Sequence, residues 1–136
     1  MNQDDLKKRL KKFALRIIKL SEKLPNNITG ITIARQIIRS GTSPGTNYRA
    51  ACLGKSDKDF LNKLKMVEEE LDETIYWLEL IVESGLVKSN LIDDLMKENE
   101  ELFRITAATI ITFKKKINSK KDHSKDIVNS KSINSK

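Results

Sequence analysis

Five carboxylates fall within six positions at Glu68, Glu69, Glu70, Asp72 and Glu73. Helix bundles use inward glutamates to hold paired metal ions, but such sites draw further ligands from Glu-x-x-His pairs on neighbouring helices. The one histidine, His123, lies in a lysine-rich stretch near the end of the chain. The acidic run therefore reads as a solvated or intersubunit helix face, and neither a metal nor another cofactor is expected. Cys52 is the single cysteine and stands in "AACL". It cannot close an internal disulfide, and its small apolar neighbours suit a buried, inert thiol better than a nucleophile. No serine or cysteine has a histidine positioned to act as its base. The expectation is a protein that is not an enzyme.

"GTSPGTN", residues 41–47, looks at first like a glycine-rich phosphate loop. Such loops follow a strand and place a lysine and a hydroxyl at fixed distance, as in GxxxxGK[ST]; this stretch follows a helical pattern and has no lysine. Ile33, Ile37, Gly41, Pro44 or Gly45, Tyr48 and Cys52 keep the helical repeat running straight through it. One helix with a kink within residues 40–44 is expected, eased by the Thr42 or Ser43 hydroxyl.

The remaining chemistry is cationic. Residues 7–55 carry twelve Lys and Arg against the single acid Glu22, whereas residues 57–101 carry fourteen Asp and Glu against five Lys. Lys7, Lys8, Arg9, Lys11 and Lys12 make a patch on the first helix, and Arg39 and Arg49 lie off the apolar stripe of the second. Lys114, Lys115, Lys116, Lys120, Lys121 and Lys125 make a second patch in a terminal stretch that holds most of the net charge of +7. All thirteen are candidate nucleic-acid contacts, RNA or DNA, because phosphate neutralisation needs no fixed geometry. A solubilising terminus accounts equally well for the second patch.

Helices must position these groups. Leu6, Leu10, Phe13, Ile17, Leu20 and Leu24 alternate spacings of three and four, the seam of a helix packed nearly parallel to a neighbour. Phe60, Leu64, Val67, Leu71, Thr74, Leu78 and Ile81 repeat it, opened by Ser56 as cap and closed by Gly85. Leu95, Leu102, Phe103, Ile110, Phe113 and Ile117 mark a looser fourth face, with Asn99 on or near the seam. The fold class is all-α, an antiparallel up-down-up-down four-helix bundle with helices near residues 4–24, 30–54, 57–84 and 89–117. The bundle occupies residues 1–117, and residues 118–136, poor in apolar side chains, read as a basic tail without fixed structure. No apolar run reaches membrane-spanning length and the opening residues do not resemble a signal peptide, so a cytoplasmic protein with no membrane partner is expected.

Arg39, Ser40, Gly41, Thr42, Ser43, Asn47, Tyr48 and Arg49 on the second helix, with Glu69, Glu73, Thr74, Tyr76, Trp77 and Leu78 on the third, carry a resemblance. Over roughly residues 10–116 the chain resembles the four-helix bundle proteins encoded in intervening sequences of bacterial 23S ribosomal RNA genes. Pro44 departs from the pattern, standing where an aliphatic residue is expected. The resemblance implies a ring-forming homo-oligomer, a homopentamer, with no established biochemical activity. That family is similar in turn to the accessory variability protein of diversity-generating retroelements, a basic pentamer that engages reverse transcriptase and RNA. Two functions stay open: a nucleic-acid-associated assembly protein, and an adaptor whose ring displays a surface to a partner protein. The opposite charges of the two halves of the chain suit a head-to-tail contact between copies, which closes a ring when the rotation permits.

Overall fold

In the computed structural model the backbone is described for residues 1–134 and the side chains for residues 1–124. Four α-helices follow one another: α1 (Gln3–Ser21), α2 (Ile28–Cys52), α3 (Asp57–Glu83) and α4 (Asp93–Asn134), with a short 3-10 turn, Ser89–Leu91, before the last. The described residues contain no strand. The short connections leave each helix antiparallel to the next, as the seam spacing requires.

Local chemistry sets each boundary. The Asn2 side chain accepts from the Asp5 amide at 2.8 Å while the Asp5 carboxylate accepts from the Asn2 amide, a reciprocal cap at the start of α1. The helix ends at Ser21, three residues short of the predicted stop, because the turn before Pro25 is already leaving helical geometry. Asn27 caps α2 by accepting from the Gly30 amide at 2.8 Å. That turn folds back so tightly that a Cβ on Gly30 would lie 1.9 Å from the Pro25 carbonyl oxygen. Ser56 caps α3 through the Asp59 amide at 3.1 Å. Gly85, at φ +77°, ends α3; its amide donates to the Val82 carbonyl and that of Leu86 to the Ile81 carbonyl, which satisfies two of the last carbonyls.

Helix α2 passes through Pro44 as a single element of 25 residues, and Pro44 is buried. The Thr42 hydroxyl donates to the Ile38 carbonyl at 2.7 Å and the Asn47 amide to the Ser43 hydroxyl at 2.9 Å, so side chains supply local bonds around the proline. Gly41 faces α1 so closely that an added Cβ would lie 2.8 Å from both γ carbons of Ile17.

Leu6, Leu10, Phe13, Ile17 and Leu20 of α1 meet Ile37 and Tyr48 of α2, Leu64, Val67, Leu71, Leu78 and Ile81 of α3, and Ile92, Leu95, Leu102 and Ile110 in and before α4, forming one core. Each such side chain contributes about 1.5–3 kcal/mol on burial. A buried polar layer crosses it: the Ser40 and Thr74 hydroxyls share a hydrogen bond at 2.9 Å, and the Asn99 amide donates to the Leu71 carbonyl at 3.0 Å. Asn99 thus points into the core, where its Oδ1 has no partner. Packing is heaviest between α2 and its two neighbours, and lightest where α4 returns to α1.

Helix α4 extends the expected element. The terminal stretch expected to lack structure from Asn118 onward is helical to Asn134, since no glycine or proline after Gly85 interrupts it. Ile117 is half-buried and residues 118–124 are exposed, so the continuation adds nothing to the core through those side chains.

Candidate nucleic-acid interface

The antiparallel topology brings the beginning of α1, the end of α2, the beginning of α3 and the later turns of α4 to one end of the bundle. Phe60 and Phe113 meet there with ring centroids 4.7 Å apart and planes inclined by 52°, beside Gln3 and Cys52, closing that end of the core. Residues 3–12 supply five Lys and Arg against two Asp, residues 49–65 five against two, and residues 110–121 five against none. At the other end Glu79 and Glu83 of α3 and Asp93 and Asp94 of α4 stand with Arg16, Lys19, Lys23 and Lys88, while Glu98 and Glu101 lie level with Arg9. The excess of cations is therefore gathered at one end of the bundle while the other end is mixed in charge, and the helix order decides it.

Not every cation at the basic end is available. Arg9 donates to Glu98 through Nε at 3.0 Å and Nη2 at 2.6 Å, and its Nη2 lies 3.1 Å from Glu101. The Glu98 hydrogen bond raises the Arg9 pKa above its ordinary value, burial opposes this, and Glu101 adds to it. A guanidinium held by two carboxylates has few donors left for a phosphate. Together with Arg16–Asp94 at 2.9 Å, these pairs tie α1 to α4 along their sparsely packed seam. Arg39 is likewise engaged, with Glu70 at 3.2 Å and with Glu73, while the Trp77 indole donates to Glu73 at 3.0 Å. Two of the five clustered carboxylates thus pair with α2. Lys120 reaches Asp57 at 3.4 Å.

Lys8, Lys11, Lys12, Arg49, Lys114, Lys115, Lys116 and Lys121 make no ion pair among the described residues. All eight are exposed. The Lys125 side chain lies outside the described residues. Helices α1 and α2 also form a groove of about 530 Å³, walled by Lys7, Lys8, Lys11 and Arg49. Ala14, Thr42, Gly45 and Thr46 complete its lining. Lys58 and Lys65 of α3 and Lys120 and Lys121 of α4 line a second depression, with Leu61 and Ile117 between them. The sequence alone gives Lys58, Lys65, Thr42 and Thr46 no place among the candidate contacts. Their place on helix faces next to the lysine patches becomes visible only when α3 lies against α4 and α2 against α1.

The family profile described as 23S rRNA-intervening sequence protein matches residues 3–108, all of α1 to α3 and the first turns of α4. The chain belongs to that family. It is similar to a crystal structure of a protein of unknown function from the S23 ribosomal protein family of Bacteroides thetaiotaomicron. The two share 33% identity and superpose with a TM-score of 0.75, over 81% of this chain and 98% of the other. A comparison with curated proteins gives no match. The family match ends before Lys114, so the lysine-rich part of α4 stands outside it. No helix among the described residues is long and apolar enough to cross a membrane.

Proposed function

We propose that this member of the 23S rRNA-intervening sequence family is a non-enzymatic, homo-oligomeric bundle of the cytoplasm that holds RNA or DNA at its basic end. The observation carrying the reading is the excess of cations at one end, with exposed lysines and Arg49 gathered where α1 begins and α4 runs on. Cations spread over helix faces neutralise a backbone without reading bases, so binding is weak in sequence preference and steep in salt dependence.

Assembly rests on a different surface. Ile18 follows Ala14 of the groove by one helical turn and Ile38 precedes Thr42 by one turn, and both are exposed, as are Leu15 and Ile31. This apolar row lies on the basic pair of helices. The outer face of α3 presents exposed Glu69, Asp72, Tyr76, Glu79 and Glu83. A second copy docking its α3 face on the apolar row places opposite charges together, and the contact is heterologous, so repetition makes a ring; the family resemblance favours five copies. The same apolar row supports the second reading, an adaptor for a partner protein such as a reverse transcriptase.

Titrating RNA and DNA oligonucleotides against the full chain and a chain ending at Ile117, at two salt concentrations, tests the proposal. The expected result is binding that weakens with salt, and a shallower salt slope for the shorter chain. Absence of binding by both at low salt overturns the nucleic-acid reading in favour of the adaptor. A solution mass of one protomer at micromolar concentration overturns the assembly.

A further inference from the structure

We infer that the groove between α1 and α2 is a phosphate oxyanion site. This rests on the nucleic-acid reading and narrows it to one place. Lys7 and Lys11 stand one turn apart on α1, Arg49 faces them from α2, and Lys8 lies at the rim. Among the described residues no carboxylate lines the groove. Asp4, itself largely exposed, approaches Lys7 no closer than 3.9 Å and is the one acid among the described residues paired with any of these walls. Four like charges around one concavity repel one another in the free protein, and an anion relieves that repulsion.

The floor suits the same ligand. Ala14 and Gly45 keep it low: an added Cβ on Gly45 would meet Leu10 at 3.8 Å, ordinary contact, so the small residues let α1 and α2 lie close beneath the groove. The Thr42 hydroxyl already donates to Ile38, but Thr46 is exposed and forms no hydrogen bond among the described residues, leaving its hydroxyl to donate to a phosphate oxygen. A volume of about 530 Å³ lies within the range of small-ligand pockets and admits a phosphate with its attached sugar. The guanidinium of Arg49 offers paired donors, and the lysines act as point charges beside it. The ligand is a phosphate group, carried on a nucleic-acid backbone or free in solution.

The test follows backbone amide resonances of the full-length protein during titration with inorganic phosphate and, separately, with a uridine oligonucleotide, for the wild type, Lys11→Gln/Arg49→Gln, Thr46→Glu and the control Lys88→Gln/Lys97→Gln, two exposed lysines away from the groove and the basic end. Thr46→Glu changes an exposed residue, so its folding is preserved while a carboxylate enters the groove. The expected result is shifts centred on Thr42, Gly45 and Thr46, absent in both groove variants and retained in the control. For the oligonucleotide, losing two contacts lowers the salt slope by about 1.4. Shifts with both ligands identify any phosphate as sufficient; groove shifts with the oligonucleotide alone identify the polymer backbone as the source. Undiminished oligonucleotide binding by the groove variants, with shifts confined to α4, overturns the groove and leaves the basic end as the binding surface. No response to either ligand overturns both.

Discussion

Gly41 and Gly45 lie one turn apart on α2 and both turn toward α1, yet alanine at the two positions should have opposite effects. In a helix interior alanine is favoured over glycine by about 1 kcal/mol, through the entropy glycine loses on folding. At Gly45 the new methyl would meet Leu10 at 3.8 Å, ordinary van der Waals contact, so the gain is kept. At Gly41 it would lie 2.8 Å from two carbons of Ile17 and 3.1 Å from a third, and Ile17 is fully buried with nowhere to move. Overpacking of that kind costs about 1–3 kcal/mol. Gly45→Ala should therefore raise stability by about 1 kcal/mol, and Gly41→Ala should fall below it by about 1–3 kcal/mol. Urea unfolding followed by circular dichroism, at one protein concentration so that assembly is held constant, measures both midpoints. Equal shifts, or a more stable Gly41→Ala, would refute the claim that Gly41 fixes the α1–α2 distance.

Asn99→Leu should leave stability unchanged or raise it by about 1–3 kcal/mol, because it removes a buried unpaired oxygen at similar volume, whereas Asn99→Ala opens a cavity and should lower it; thermal melts compare the two. Arg9→Gln should cost about 1 kcal/mol through the stranded Glu98, and a double-mutant cycle with Glu98→Gln should return part of that loss. Burial, reinforced by Cys52, raises the Tyr48 phenol above its usual value of about 10. The neutral phenol thus favours the fold: its contribution is complete below about pH 10 and lost as pH rises toward the folded value. Alkaline unfolding should accordingly occur at higher pH in Tyr48→Phe, and an unchanged midpoint would contradict the shift.

Much of the bundle was legible because its information is periodic. Leu6 to Leu20 and Leu64 to Ile81 announce their faces by spacing, and the structure buries every one of those apolar positions. Phase also carried α2 through Pro44, where a reading by residue type alone would have placed a loop. The end of α4 was missed for the opposite reason: residues 118–134 lack apolar periodicity, but they also lack any breaker, and a helix already started needs only the second condition. Of the thirteen candidate cations, charge alone could not separate the engaged from the free. Arg9 and Arg39 are engaged because Glu98 stands opposite on α4 and Glu70 with Glu73 on α3, and such pairs depend on which helices are neighbours. Arg49 and Lys11 become part of one groove by the same logic.

The run of α4 beyond Ile117 makes the end of this protein a length rather than a surface. Its packed turns supply the nucleus, so each further residue joins by propagation alone, near thermodynamic balance. At 1.5 Å per residue, the stretch from 118 to 134 projects about 25 Å. Like charges one turn apart, as at Lys116 and Lys120, weigh against each added turn, and an anion lying along the helix removes that weight. On the proposed reading, helicity at the far end should report occupancy: salt or polyanion should lengthen the rod and heating shorten it, while the bundle beneath stays folded.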